Sequence, residues 1–379
     1  MFTSYNQYCS KLQSENRYRQ LFLLPQGKAH IDFSSNDYLG LSQQKALVQA
    51  ATKAGECWGA GATGSRLLSG NNELCEAFEK RIAQDKGTEA ALVFSSGFQA
   101  NLTVLASLLD KRVLAARPLV FFDQLNHSSL YNAVFLSGAE LVRYQHNDMS
   151  HLTSLLQARH RDTRPKFIVA ETVYGMDGDK VHLNEILALA KEHKAFVYLD
   201  EAHATGLFGP QGYGLSTETQ FNGVPHLVMG TFSKALGVSG AYIACSQDLR
   251  NYIINKTTGF VYSTAPSPLV VGAAQKAWEW VPHFQPQRQS LFAMAQHLRN
   301  ELSASGFDTG LSNTHIVSVI LKDEKRTLDA KLKLASQGII VSAIRPPTVM
   351  PAQSRLRLAL NTTHTEQDIE KTIAVLKTL

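Results

Sequence analysis

Two short segments of the sequence place reactive side chains directly after apolar runs that are typical of buried strands. The run Tyr198-Leu-Asp-Glu-Ala-His203 sets Asp200 at the end of one such strand. The run Thr231-Phe-Ser-Lys234 sets Lys234 just after another. Side chains at the carboxyl ends of parallel strands converge on one edge of a sheet. A lysine can bond covalently to an aldehyde cofactor, and a carboxylate can keep a pyridine nitrogen protonated, so we predict a pyridoxal phosphate (PLP) site.

Two histidines are candidates to support this pair. His203 follows Asp200 by three positions, so its ring could bond the phenolic oxygen of the cofactor. His127 follows a further predicted strand, so its flat ring could stack on the cofactor or orient a substrate. A single histidine is more often structural, just as Asp200 alone could cap a turn and Lys234 alone could lie on the surface. These interpretations therefore depend on the four residues occurring together.

A glycine-containing turn is a candidate for phosphate binding. The run Ser95-Ser-Gly-Phe-Gln-Ala-Asn101 follows a predicted strand and begins a helix. Unsatisfied N–H groups at a helix N-terminus attract phosphate, and Gly97 lets the backbone approach closely. Ser96, Gly97 and Phe98 are thus predicted to lie at the cofactor phosphate. Turns of this kind are also common structural elements.

A glycine-rich run, residues 59–70, combines four glycines with Ser65, Arg66 and Ser69. We expect its backbone to approach a ligand or a neighbouring subunit. The run lacks the Gly-Lys-Ser/Thr ending of an ATPase phosphate loop, and it does not follow a strand as a dinucleotide fingerprint does. These two classes of nucleotide site are therefore not indicated.

A proline-stiffened loop near the C-terminus carries a candidate anion contact. The run Ala343-Ile-Arg-Pro-Pro-Thr-Val349 presents Arg345 together with the hydroxyl of Thr348. A guanidinium group binds carboxylate or phosphate in a bidentate manner. We predict that Arg345 contacts substrate, with a surface salt bridge as the alternative.

The composition narrows the class of protein. The chain has 379 residues, 44% of them hydrophobic, and Lys plus Arg exceed Asp plus Glu by 37 − 32 = 5. These charges are scattered, which does not indicate nucleic acid binding. Four cysteines without paired spacing argue against a disulfide framework and a metal site. The polar N-terminus and the lack of long apolar runs predict a cytoplasmic protein that does not bind a membrane.

Alternating apolar runs and amphipathic stretches predict the elements that position these residues. The predicted strands of the first two thirds are 90–94, 119–122, 141–144, 167–170, 195–199, 227–229 and 241–244. Later strands are predicted at 316–321, 339–343 and 356–360, with helices at 327–337 and from Thr365. We therefore predict an α/β fold: an N-terminal helix and segment (1–45) packing with the small domain, a large cofactor-binding domain (46–265) and a small α+β domain (266–379).

From about Asp32 to the C-terminus, the sequence resembles the PLP-dependent α-oxoamine synthases. The resemblance rests on the stretches 33–40, 59–70, 96–98, 126–129, 176–179, 200–203, 231–234, 262–264 and 344–349. It implies the fold-type I architecture of PLP-dependent transferases, in which a large domain holds a mostly parallel seven-stranded sheet. It also implies a homodimer with sites at the interface.

The resemblance implies a role for each matched residue. Lys234 bonds the cofactor covalently, Asp200 pairs with its ring nitrogen, and His203 contacts its ring hydroxyl. His127 stacks on the cofactor ring, and Gly97 and Phe98 lie beside the cofactor. Thr231 binds the cofactor phosphate, and Thr264 reaches the phosphate of the cofactor in the partner subunit. Gly175 replaces a serine of many relatives, so it can offer only a backbone contact. The substrate contacts are Arg17 or Arg19, with Asn36, Arg345 and Thr348.

Within the family, the stretch 344–349 and the nearby Arg355-Leu-Arg-Leu358 favour the branch that serves biotin synthesis. That branch condenses L-alanine with a pimeloyl thioester of coenzyme A or acyl carrier protein. The alternatives are relatives that use glycine or serine, such as 2-amino-3-ketobutyrate ligases, and a non-catalytic PLP-binding homologue. A metal enzyme is not indicated, since no cluster of His, Cys and Asp has ligand spacing.

Overall fold

The computed structural model describes residues 2–21, 23 and 30–379. The described residues form two compact units. The larger unit contains Asp37–Tyr174 and Lys180–Pro286. The smaller unit contains the N-terminal residues to Asn36, the short segment Gly175–Asp179, and Gln287–Leu379.

Strands and helices alternate along most of the chain. The strands are β1 (Ile31–Asp32), β2 (Ala90–Phe94), β3 (Leu119–Asp123), β4 (Glu140–Tyr144), β5 (Lys166–Glu171), β6 (Phe196–Asp200), β7 (His226–Thr231), β8 (Ala241–Cys245), β9 (Ile316–Lys322), β10 (Ile339–Ile340), β11 (Ser342–Ile344) and β12 (Ser354–Ala359). The longer helices are α1 (Phe2–Ser14), α2 (Lys45–Trp58) and α3 (Glu73–Lys86), and short helices α4 (Gly97–Ala100), α5 (Ala106–Leu108) and α6 (Lys111–Leu114) follow. The remaining helices are α7 (Ser128–Ser137), α8 (Met149–Gln157), α9 (Leu183–Glu192), α10 (Gln247–Lys256), α11 (Thr258–Val261), α12 (Pro268–Trp280), α13 (Gln285–Ala304), α14 (Glu324–Ser336) and α15 (Glu366–Leu376). A π-helical turn (Asn101–Leu105) joins α4 to α5, and 3₁₀ turns cover Leu215–Glu218 and Val281–Phe284.

The larger unit is built on a seven-stranded sheet with the order β2-β8-β7-β6-β5-β3-β4. Neighbouring strands from β7 to β4 are parallel, whereas β8 is antiparallel to both β2 and β7. Every residue of β2, β3 and β8 is buried, as expected where helices cover both faces of a sheet. The predicted seven-stranded, mostly parallel sheet is confirmed.

The parallel strands bring their carboxyl ends to one edge of this sheet. On neighbouring strands, Glu171 of β5 lies opposite Asp200 of β6, and Asp200 lies opposite Met229 of β7. Two residues further along β7 is Thr231, its last residue. Open α/β sheets bind ligands at such an edge.

The boundary after the larger unit lies between Pro286 and Gln287, later than the predicted 265/266. Helix α12 packs closely on α2, both in the larger unit. A Cβ atom on Gly272 would lie 2.5 Å from that of Ala54, so glycine permits this close approach. The prolines near 266 mark the loop that begins α12 rather than a domain boundary.

The smaller unit contains the antiparallel sheet β11-β12-β9 and the parallel pair β1-β10. The predicted strand 339–343 is thus divided between two sheets. The N-terminal prediction ended at residue 45, whereas only residues up to Asn36 belong to this unit. No helix among residues 2–21, 23 and 30–379 is long and apolar enough to cross a membrane.

The segment Gly175–Asp179 belongs to the smaller unit, which the sequence did not predict. Hydrogen bonds from Ser318 Oγ to the Met176 carbonyl (2.7 Å) and from Thr314 Oγ1 to the Gly178 carbonyl (2.7 Å) hold it there. Gly178 has a φ of +76°, and a Cβ atom there would lie 2.0 Å from the Ile316 carbonyl oxygen. Only glycine fits this position.

Candidate active site

Lys234 and His203 are in direct contact in the larger unit. Lys234 Nζ lies 2.7 Å from His203 Nε2. On the other side of the ring, His203 Nδ1 lies 2.7 Å from the hydroxyl of buried Tyr38. The loop after Lys234 returns through Gly237, whose φ of +66° and closeness to the Ser42 backbone require glycine. The structure thus brings together two predicted residues and adds Tyr38.

Asp200 is a buried carboxylate, only 3% exposed. Its Oδ2 accepts a hydrogen bond from Asn101 Nδ2 at 2.7 Å, and its Oδ1 accepts one from the backbone N–H of Ala202 at 2.8 Å. Donors of this kind stabilise the ionised form of a carboxylate. Asp200 is therefore suited to bind a protonated ring nitrogen.

His127 begins α7 and exposes part of its side chain. Its Nδ1 lies 2.8 Å from Ser129 Oγ, and its ring meets that of Phe98 edge to face at a centroid distance of 6.5 Å. The protein around the ring removes water and lowers the pKa of His127; Asp200 opposes this effect and Lys234 adds to it. Neutral imidazole is therefore favoured at this position.

Glu171 lies beside the cluster, although the sequence did not single it out. Its carboxylate accepts the backbone N–H of His127. Burial raises the pKa of Glu171 well above its ordinary value, and neighbouring Asp200 adds to the rise. Two adjacent buried carboxyl groups disfavour double ionisation, and the raised pKa makes the charged form of Glu171 less favourable.

Gly97 and Thr231 face each other across the start of α4. A Cβ atom on Gly97 would lie 3.7 Å from Thr231 Cβ, an ordinary contact distance, so the two residues are close neighbours. The Ser96 hydroxyl caps the helix by accepting the N–H of Gln99 at 3.2 Å. Thr231 Oγ1 donates to the Gly240 carbonyl at 2.8 Å and lies 2.6 Å from Ser233 Oγ. Gly97, Thr231 and exposed Phe98 thus lie close together, and their role at a phosphate stays a prediction.

Thr264 is exposed and lines a small pocket with Ser95 and Gln99, near the start of α4. Tyr262, two residues before it, is 82% exposed. Their predicted contribution concerns a partner subunit, so it stays a prediction.

In the smaller unit, Arg357 ties together two of the predicted contact residues. Its Nη2 donates to Asn36 Oδ1 at 3.0 Å, and its Nε donates to the Gly175 carbonyl at 2.6 Å. The Gly175 carbonyl is thus already used by a guanidinium group. The sequence named Asn36 and Gly175 but did not single out Arg357, which is only 4% exposed.

A cavity of about 200 Å³ in the smaller unit is lined by four of the predicted substrate residues, but not by Asn36. It is lined by Arg17, Arg19, Ala343, Ile344, Arg345, Pro346 and Thr348. Arg17 is paired with Glu15 and Glu324 at 3.2 and 3.1 Å. Arg19, in contrast, donates to the Thr348 hydroxyl at 2.8 Å. Burial lowers the pKa of Arg345, and the nearby charge of Arg19 lowers it further.

Sequence patterns alone missed Tyr38, Asn101, Ser129 and Glu171 as site residues. Tyr38 lies within the matched stretch 33–40, and Glu171 directly follows the predicted strand 167–170, so both carried a positional signal. Ser129 ends the matched stretch 126–129 and Asn101 ends the run 95–101, but neither was given a role. Within the described part of the chain, no group of His, Cys, Asp and Glu residues is arranged to hold a metal ion.

Comparison with known proteins gives extensive matches. The family model for class I and II aminotransferases matches residues 28–376. A protein of Magnetococcus marinus, provisionally named 8-amino-7-oxononanoate synthase, is 45% identical over 374 residues, which cover 96% of this chain and 94% of that one. The 8-amino-7-oxononanoate synthase of Gluconacetobacter diazotrophicus is 43% identical over 355 residues, covering 93% and 88% of the two chains.

Solved structures match along nearly the whole chain. A serine palmitoyltransferase from S. paucimobilis, solved with a bound PLP–myriocin adduct, matches with a TM-score of 0.90 and 28% identity, covering 100% of this chain and 96% of that one. An 8-amino-7-oxononanoate synthase from Francisella tularensis matches with a TM-score of 0.80 and 25% identity, covering 92% and 97% of the two chains.

Proposed function

Because the chain belongs to the class I and II aminotransferase family, and within it to the PLP-dependent α-oxoamine synthases, we propose that it condenses L-alanine with a pimeloyl thioester. The reaction releases carbon dioxide and the free thiol carrier and yields 8-amino-7-oxononanoate. The observation that carries the chemistry is the grouping of Lys234, His203 and Asp200 at one edge of the sheet. The names of relatives at 43 and 45% identity support the choice of substrates.

The residues of the larger unit fit PLP. When bound, PLP supplies an electron sink for negative charge at the Cα atom of an amino acid. Asp200, whose carboxylate accepts hydrogen bonds from Asn101 and Ala202, would hold the protonated ring nitrogen. Gly97 and Thr231, which lie close together, would contact the phosphate.

Lys234 would hold the cofactor covalently and later move a proton. A lysine amine acts as a base only when it is neutral, and a nearby cation or desolvation favours that form. Once the amino acid has displaced it, the Lys234 amine would take the proton from Cα of L-alanine. His203 Nε2, 2.7 Å away, would hold the amine in position for this transfer.

The arginine cavity of the smaller unit would bind a substrate carboxylate. Burial and the nearby charge of Arg19 lower the pKa of Arg345, so an anion bound beside these two guanidinium groups would be stabilising. Arg17 is already neutralised by Glu15 and Glu324, whereas Arg19 contacts a neutral hydroxyl. We therefore assign the substrate contact to Arg19 with Arg345 and Thr348, rather than to Arg17.

A homodimer would complete the site. Exposed Thr264 would reach the cofactor phosphate of the partner subunit, as the family resemblance implies. Mixing inactive Lys234→Ala and Thr264→Ala subunits tests this arrangement, because mixed dimers regain one intact site. Recovery of activity on mixing supports the dimer, and an active monomer in sedimentation contradicts it.

The proposed function is tested by offering L-alanine, glycine and L-serine separately to the PLP-loaded enzyme with pimeloyl-coenzyme A or pimeloyl-acyl carrier protein. Release of carbon dioxide and free thiol with L-alanine, well above the other two, is the expected result. A preference for glycine or serine would move the chain to another branch of the family. No thiol release with any of the three would indicate a non-catalytic homologue.

A further inference from the structure

The His127 ring is held on one side by Ser129. His127 Nδ1 lies 3.3 Å from the backbone nitrogen of Ser129 and 2.8 Å from its Oγ. A backbone N–H group can only donate, so Nδ1 must accept and cannot itself carry a proton. A neutral ring then carries its proton on Nε2.

The direction of the Ser129 hydroxyl is set by Asn101. Asn101 Nδ2 donates to Ser129 Oγ at 3.0 Å and to Asp200 Oδ2 at 2.7 Å. Both protons of the amide are thereby used. Ser129 Oγ accepts one of them, and its own proton is directed to His127 Nδ1.

Asn101 is itself fixed in this orientation. It is 2% exposed and lies at the first position of the π-helical turn, an irregularity that is frequent at functional sites. The hydroxyl of Tyr198 donates to Asn101 Oδ1 at 3.0 Å. A reversed amide would face its oxygen towards the Asp200 carboxylate, so the arrangement has one favourable orientation.

We propose that Asn101 is a positioning residue that, through Ser129, fixes His127 as the neutral tautomer with its proton on Nε2. A continuous set of hydrogen bonds then links Asp200 to His127. What this does in catalysis rests on the proposed function. The Nε2–H group is a donor that can stabilise negative charge developing on a substrate oxygen.

The charged groups around His127 agree with a neutral ring. Asp200 of β6 is the neighbouring group that favours protonation, and Lys234, after β7, opposes it. Glu171 of β5 accepts the backbone N–H of His127, and burial raises its pKa, which disfavours its charged form. Loss of water around the ring is the largest effect, and it lowers the pKa of His127.

The tautomer is measured by NMR of histidine ring nitrogens in the ¹⁵N-labelled, PLP-loaded protein, with His127→Gln to assign the signals. A proton on Nε2 and none on Nδ1 at pH 7 is expected. Ser129→Ala removes one donor to Nδ1, so the His127 pKa should rise toward the ordinary value of about 6.5. Ser128→Ala, at the exposed neighbouring position, is the matched control and should leave it unchanged.

Asn101→Leu tests the second step of the proposal. It leaves the Ser129 hydroxyl free to turn to Asp200, so the His127 pKa should shift in the same direction as in Ser129→Ala. A proton on His127 Nδ1 in the unsubstituted protein would overturn the proposal. A folded Asn101→Leu variant in which the His127 pKa is unchanged would also overturn it. The NMR signals do not depend on turnover, so a failure of this proposal would leave the proposed function standing. An inactive enzyme whose His127 ring carries its proton on Nε2 would overturn the proposed function alone.

Discussion

Lys234 Nζ lies 2.7 Å from His203 Nε2, although 31 residues separate them in the sequence. The same ring contacts Tyr38 through its other nitrogen, so His203 is held from both sides. The position of the lysine amine is therefore set by a buried tyrosine and a histidine from two other segments of the larger unit. Such support from fixed neighbours is what a reactive amine needs in order to meet its substrate in one geometry.

Asp200→Asn should reduce turnover by roughly 10²-fold or more, with the fold intact, because it removes the charge that binds a protonated ring nitrogen. The new amide also faces a donor, Asn101 Nδ2. Steady-state kinetics and PLP titration measure the effect. Asp162→Asn, at a surface ion pair with Arg164, is the control and should retain full activity. Equal losses in both variants would contradict the role of Asp200.

Lys86→Met should lower the free energy of unfolding by about 3–5 kcal/mol, because it leaves the Glu201 carboxylate buried without its cation. The side chains of Lys86 and Glu201 are fully buried and form an ion pair, and Lys86 also donates to Ser216 Oγ at 2.8 Å. The double variant Lys86→Met/Glu201→Gln should lose less free energy of unfolding than Lys86→Met alone. Urea unfolding tests this, with Lys377→Met at the exposed pair with Glu301 as a control that should change little. A small effect of Lys86→Met would contradict the prediction.

Arg19→Ala should raise the KM for pimeloyl-coenzyme A roughly tenfold with kcat unchanged, because a charge-assisted contact to the distal carboxylate is lost. The methyl ester of the same thioester lacks that carboxylate, so its KM should be nearly unaffected. Arg326→Ala, an exposed arginine of α14, is the matched control. If Arg17→Ala rather than Arg19→Ala changes KM selectively for the acid, the assignment to Arg19 is wrong.

Cys75 and Cys245 should resist thiol reagents in the folded protein. Burial raises the pKa of Cys75 to about 11 and that of Cys245 to about 12, so the reactive thiolate is disfavoured at neutral pH. Exposed Cys9 serves as the internal control and should be labelled rapidly. Mass spectrometry of peptides after labelling at pH 8 distinguishes the sites, and labelling of Cys75 at the rate of Cys9 would contradict the burial.

The large sheet could be predicted from the sequence because its strands are buried on both faces and appear as short apolar runs. For the same reason the end of β6 identified Asp200, and the loop after β7 identified Lys234. Each of these signals is local, since the chemistry-bearing residue directly follows the run that places it. The matched stretches then extended the prediction to Gly175, Thr231 and Thr264.

Contacts between distant segments could not be predicted. Asn101 meets Asp200 across 99 positions, and nothing in a short window marks a helical asparagine as the partner of a strand-end carboxylate. The end of the larger unit was missed for a similar reason, since only the packing of α12 on α2 shows where that helix belongs. The segment Gly175–Asp179 is likewise assigned by long-range hydrogen bonds to residues near 314–318.

The most direct test of the central claim is to locate the lysine that bonds to PLP. The PLP-loaded protein is reduced with borohydride, digested, and its peptides are sequenced by mass spectrometry. We predict that the pyridoxyl group is found on Lys234. The Lys234→Ala variant should lose both this label and turnover, whereas the control Lys276→Ala should keep both the label and turnover. Modification of a different lysine, or normal turnover by Lys234→Ala, would contradict the account.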